Sequence, residues 1–157
     1  DEKYAVSEST AMKPEIVEWH ENAFTMTDAL GLCSRATLST YAILPEDMAA
    51  MYETATGIPM TTEELTEASR RIVLLERFFN MREGVRREAD TLPWRLMHEP
   101  LERPHNQGTS MNSKEEMDGM LDRYYELRGW DKNGLPTQET VEHYGLEDII
   151  NEEDFYK

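Results

Sequence analysis

The run Asp28-Ala29-Leu30-Gly31-Leu32-Cys33 sets a carboxylate five residues ahead of the only thiol in the chain. The glycine between them is suited to ending a helix and turning the chain sharply. A thiolate can ligate iron, and a carboxylate can accept hydrogen bonds from a ring N–H or an amine. A four-iron cube takes four thiolates, so Cys33 supplies at most one corner. Any partners of this run must come from another part of the polypeptide or from another chain. The plainer alternative for a lone cysteine after a helix is an inert, buried thiol.

A second concentration of chemistry lies at residues 70–103. That window holds eight of the sixteen basic residues, all arginine, against six acids. Arginine suits bidentate contact with phosphate or carboxylate and equally suits buried ion pairs. The four histidines, His20, His98, His105 and His143, are scattered. Glu102 and His105 share the Glu-x-x-His spacing of a di-iron bundle, but Pro104 between them spoils the helix that spacing requires. No phosphate loop, nucleophile elbow or dinucleotide fingerprint is present.

The elements that position these residues read as helices nearly throughout. Residues 14–30 form a helix closed by Gly31, and a second runs from Pro45 toward Gly57. Thr61 with Glu64 makes a capping box for a third, in which Leu65, Ala68, Ile72, Leu75 and Phe79 recur at helical steps until Gly84. Ser113 with Glu116 opens another, burying Met117, Met120 or Leu121, Tyr124 and Leu127 before Gly129. Short turns follow Thr137 and span 146–150. The stretch 90–112, with Pro93, Pro100, Pro104 and Gly108, is too long for an ordinary helix connection and is either functional or disordered. The prediction is an all-α chain, an irregular multi-helix array.

Composition narrows the classes. At 39% hydrophobic and 31% charged, the chain can build a core. A net charge of -16 argues against duplex nucleic acid or an anionic membrane as partner. No run approaches the roughly 18 to 20 apolar residues that cross a bilayer. With one cysteine there is no internal disulfide, and the expected location is the cytoplasm.

Three ordered motifs carry a resemblance. They are Asp28-x-x-Gly31-Leu32-Cys33; Glu76-Arg77-Phe78-Phe79-Asn80-Met81-Arg82-Glu83-Gly84 with Arg87, Asp90, Leu92-Pro93 and Arg95; and Met120-Leu121-Asp122-x-Tyr124-Tyr125-Glu126-Leu127-Arg128-Gly129-Trp130-Asp131 with Gly134-x-Pro136. On these residues the chain resembles the C-terminal helical region of the tungsten-containing aldehyde:ferredoxin oxidoreductase family. The resemblance implies a tungsten (or molybdenum) ion between two pterin dithiolenes beside one [4Fe-4S] cluster, on a mostly β N-terminal platform covered by helical domains. It implies that Cys33 is the fourth cluster ligand and that Asp28, with Gly31 and Leu32, holds a pterin. The reaction implied is oxidation of an aldehyde to a carboxylic acid with ferredoxin as acceptor.

The other three cluster cysteines and the platform are not in this sequence. Residues 1–157 therefore read as the helical region alone, a fragment whose partner is the N-terminal part of the same protein and which by itself lacks both cofactors and activity. No catalytic residue is assigned. The tungsten subunit of benzoyl-coenzyme A reductases, which shares the architecture, is one alternative. A non-catalytic helical interaction module is the other.

Overall fold

The computed structural model describes residues 12–102, 109–110 and 113–150. Helix α1 spans Lys13–Ala29, with Pro14 in its first turn. A short π-helical turn, Arg35–Ser39, follows. Helix α2 is Pro45–Thr56 and α3 is Thr62–Arg82. After a 3-10 turn at Arg87–Ala89, a five-residue helix α4 (Trp94–His98), α5 (Lys114–Arg128) and α6 (Gln138–His143) complete the described helices. The only strands among the described residues, β1 (Leu101–Glu102) and β2 (Thr109–Ser110), pair antiparallel as a two-residue rung. The chain is thus all-α in architecture, as its periodicity predicts.

The helix ends follow from local chemistry. Thr61 Oγ1 accepts the Glu64 N–H at 3.1 Å while the Thr61 N–H donates to Glu64 Oε2 at 2.8 Å, and Ser113 with Glu116 repeats the exchange. Each box satisfies two amides that have no partner within the helix. Pro45 begins α2 after Leu44, whose N–H donates to Asp47 Oδ2 at 2.9 Å.

Helix α1 packs on α3, α5, α2 and the π-helical turn, and α3 packs on α2 as well. The apolar interior is in three clusters. Leu74, Phe78 and Met81 meet Val141, Leu146 and Ile150; Met26, Met48, Ala49 and Leu65 form a second; Val73, Tyr125 and Trp130 form a third.

The burial of α3 departs from the apolar spacing. Leu65 is buried, but Ala68 is exposed, Ile72 and Leu75 are half-buried, and Phe79 is 57% exposed. The buried face is instead Leu65, Ser69, Val73, Leu74, Arg77, Phe78 and Met81. An apolar count passes over Ser69 and Arg77. Yet Ser69 satisfies its hydroxyl on the Thr66 carbonyl at 2.7 Å, and Arg77 brings its own carboxylate. In α5 the expected residues are half-buried, while Tyr125 and Arg128 are fully covered.

Candidate functional site

The corner after α1 is built by its hydrogen bonds. The Leu32 N–H donates back to Thr27 O at 2.8 Å and the Gly31 N–H to Asp28 O at 3.1 Å, the paired closure of a Schellman motif. This geometry needs a left-handed residue, and Gly31 supplies it at φ 68°. Leu32 tucks against the Met26 cluster, the apolar contact that accompanies such caps. Cys33 then begins the next turn, its carbonyl accepting the Ala36 and Thr37 amides at 2.9 and 3.2 Å. The π-helical turn is closed by Ser39 N–H to Ser34 O at 3.0 Å.

Beneath the corner sits a buried pin. Thr27 Oγ1 lies 2.8 Å from Ala23 O and 3.0 Å from Thr37 Oγ1. A hydroxyl carries one proton, so a Thr27 that donates to Ala23 leaves Thr37 to donate across the second contact. This ties the end of α1 to the turn that follows Cys33. The corner is therefore held from both sides. On it, Asp28 and Gly31 are exposed, Leu32 is half-buried, and Cys33 is an exposed free thiol. The inert buried thiol is not what this fold contains.

The arginine window has a different fate. Arg77, 8% exposed, forms a two-pronged pair with Asp90 at 3.0 and 2.7 Å and donates from Nε to Gly134 O at 3.0 Å. Its guanidinium also lies over the Tyr125 and Trp130 rings, at 5.7 and 5.1 Å. Arg70 pairs with Glu18 and Glu67, Arg87 with Asp122, and Arg95 with Glu99. Arg71 donates to Tyr144 O. These arginines tie the fold together. Arg103 and His105 lie outside the described residues.

Arg128 does the same from α5. It donates to Asn22 Oδ1 at 2.8 Å and to Glu21 Oε2 at 2.7 Å. Glu21 also accepts the Tyr124 hydroxyl at 2.5 Å, as Asp90 accepts that of Tyr125 at 2.5 Å. Burial first, then the neighbouring carboxylate, pushes both tyrosine hydroxyls well above their ordinary range, so both stay protonated donors at neutral pH. Between α1, α3, α5 and residues 89–92 lies a cavity of about 600 Å³, with Val17, Val73, Met117 and Trp130 among its apolar walls.

The Cys33 corner was legible as a motif, but the Thr27–Thr37 pin and the cavity were not. Both depend on which helices meet, and no short spacing encodes that. Among the described residues no group of three or more histidine, cysteine or acidic side chains gathers as a metal site. None of the described helices is long and apolar enough to cross a membrane.

The described residues form a helical array with a glycine-capped corner that presents a carboxylate and a thiol. The sequence profile of the aldehyde ferredoxin oxidoreductases, described as their domains 2 and 3, matches residues 2–146. The chain belongs to that family. It is 34% identical over 139 residues to the tungsten-containing aldehyde ferredoxin oxidoreductase of Pyrococcus abyssi, covering 88% of this chain and 22% of that relative. It is 32% identical to the Pyrococcus horikoshii enzyme of the same name, with the same two coverages. Among solved structures it is similar to the active-site complex BamBC of benzoyl coenzyme A reductase, bound to 1,5-dienoyl-CoA. There the TM-score is 0.73 and the identity 29%, over 91% of this chain and 20% of that one. The chain spans about a fifth of the length of the relatives it matches.

Proposed function

We propose that this chain is the C-terminal helical portion of a cytoplasmic tungstopterin, iron–sulfur oxidoreductase that oxidises aldehydes to carboxylic acids, with ferredoxin as electron acceptor. The observation that carries the reading is the exposed Cys33 thiol on a doubly anchored corner, within a run that resembles the family's Asp-x-x-Gly-Leu-Cys signature. The residues present fit part of such a group. Cys33 can supply one thiolate to a [4Fe-4S] cluster, and Asp28 one carboxylate edge to a pterin. Nothing lies within 4 Å of where a Cβ on Gly31 would stand, which leaves room for close approach. When bound, the tungstopterin and cluster supply two-electron oxidation and one-electron transfer.

This chain's own contribution is positional. The Schellman closure and the Thr27–Thr37 pin hold the thiol still, so that ligation does not have to order a loop. Asp28 orients, and Leu32 anchors its end of the corner in the apolar cluster. The remaining thiolates must come from the N-terminal part of the same protein, so the chain alone binds neither cofactor and does not turn over.

The test is Cys33→Ser in the polypeptide that carries this chain together with its cofactor-binding part. Iron per chain should fall and the cluster's spectrum change or disappear. Unchanged iron and spectrum would remove Cys33 from the role. The likeness to BamBC favours one second reading, a benzoyl-CoA reductase-type subunit. Assaying aldehyde-dependent ferredoxin reduction beside turnover of dienoyl-CoA separates the two.

A further inference from the structure

The cavity between α1, α3, α5 and residues 89–92 has no part in the role proposed for the Cys33 corner. It opens near the other end of α1. Val17 lines it, and the helix runs on to Ala29, roughly 18 Å further along the axis at about 1.5 Å per residue. A volume of about 600 Å³ falls in the range that holds a small organic molecule. The walls are largely apolar: Pro14, Val73, Met117, Met120, Leu121 and Trp130 line it, all buried or half-buried. Methionine side chains adapt to the shape they meet, and their sulfur makes favourable contacts with aromatic rings.

The polar lining decides which molecule fits. Four of the five charged residues that line the cavity already have an opposite charge at hand. Arg77 and Asp90 pair at 2.7 Å, Glu21 pairs with Arg128 at 2.7 Å, and the Lys13 charge is felt by Glu116. The Tyr124 and Tyr125 hydroxyls give their protons to Glu21 and Asp90, so neither has one left for a ligand. Glu76 is the exception. Among the described residues, no hydrogen bond or ion pair reaches its carboxylate, and none reaches the side chains of Asn80 or Thr91. Glu76 and Asn80 stand one turn apart on α3 and so share a face. A carboxylate, an amide oxygen and a hydroxyl oxygen can each accept an N–H, and a primary ammonium has three to donate.

We infer that this cavity binds a small primary amine with an apolar, aromatic body, its ammonium group held by Glu76 with Asn80 and Thr91. The field of a chain with net charge -16 draws such a cation in. The inference goes beyond aldehyde oxidation and rests on none of the roles given to Cys33 and Asp28. Neither an aldehyde nor its carboxylate product offers Glu76 a positive charge.

The test is equilibrium dialysis of the whole polypeptide that carries this chain against 2-phenylethylamine, 2-phenylethanol and phenylacetate, which share a shape and differ in charge. The amine should bind with a dissociation constant of about 1 mM or tighter. It should bind at least about tenfold tighter than the alcohol, and the acid more weakly than either. Glu76→Gln, at an exposed and unpaired position, should weaken the amine about tenfold and change the alcohol by less than about twofold. The methyl resonances of Met117 and Met120 should move as the amine is added. Equal binding of the three probes, an unchanged amine affinity in Glu76→Gln, or methionine resonances that stay in place each overturn the proposal. So does binding by the 157-residue chain that the whole polypeptide lacks. None of these readouts needs tungsten, iron or turnover, so they stand apart from the test of Cys33.

Discussion

The pin between Thr27 and Thr37 can be altered without touching any residue that meets a ligand in the proposed site. Thr27→Val keeps the side chain's shape and removes only the hydroxyl. The Thr37 hydroxyl, on a residue 1% exposed, is then left with Cys33 O at 3.5 Å, the outer limit of a hydrogen bond. A buried hydroxyl left without a partner costs about 1–3 kcal/mol. For a chain of this size each kcal/mol lowers the thermal midpoint by about 2–4 °C, so a fall near 5 °C is expected. Thr37→Val should cost less, because Thr27 keeps its bond to Ala23 O at 2.8 Å. The double variant replaces both partners with apolar groups of the same shape and should recover most of the loss. Urea unfolding of the four proteins gives the coupling energy. Amide exchange at Leu32, Ala36 and Thr37, whose N–H groups close the corner, should quicken in each single variant. A Thr27→Val protein within about 0.3 kcal/mol of the parent would refute the reasoning, as would a double variant whose loss equals the sum of the singles.

Two further outcomes test the framework around the corner. Arg77→Met leaves the Asp90 carboxylate without its two-pronged partner and Gly134 O without a donor. It should cost about 3–5 kcal/mol in urea unfolding, and Arg77→Met with Asp90→Asn should cost less than Arg77→Met alone. Gly134 and Gly31 both sit at positive φ, 74° and 68°, but a Cβ on Gly134 would run into the Arg77 guanidinium and come within 2.9 Å of the Tyr125 ring, whereas one on Gly31 meets nothing. Gly31→Ala should therefore cost only the backbone penalty of about 1–2 kcal/mol, and Gly134→Ala clearly more, measured as midpoint shifts in thermal unfolding.

Helix boundaries were legible because caps are local. Gly31, Gly57 and Gly129 stop their helices, and Thr61–Glu64 and Ser113–Glu116 start theirs, by bonds made within a few residues. The corner was legible because its residues form a contiguous run. The buried face of α3 was not, because Ser69 and Arg77 enter the interior through partners that spacing cannot reveal. Arg77 reaches Asp90 and Gly134; Arg128 reaches Asn22, 106 residues away. The same reason hid the burial of Glu18 on α1, which pairs with Arg70 of α3. The π-helical turn has no period that a helical or strand template would register.

With Arg70, Arg77, Arg87, Arg123 and Arg128 engaged internally, carboxylates dominate the field around this chain. Like molecules therefore repel one another over a range that dissolved salt sets, about 10 Å at 0.1 M and 3 Å at 1 M. Contact through exposed apolar side chains such as Trp19, Phe24 and Tyr41 acts at short range and is indifferent to that screening. In dilute buffer the repulsion keeps copies from meeting in this way; in concentrated salt nothing opposes them. Raising the ionic strength should therefore favour association of copies of the separated chain.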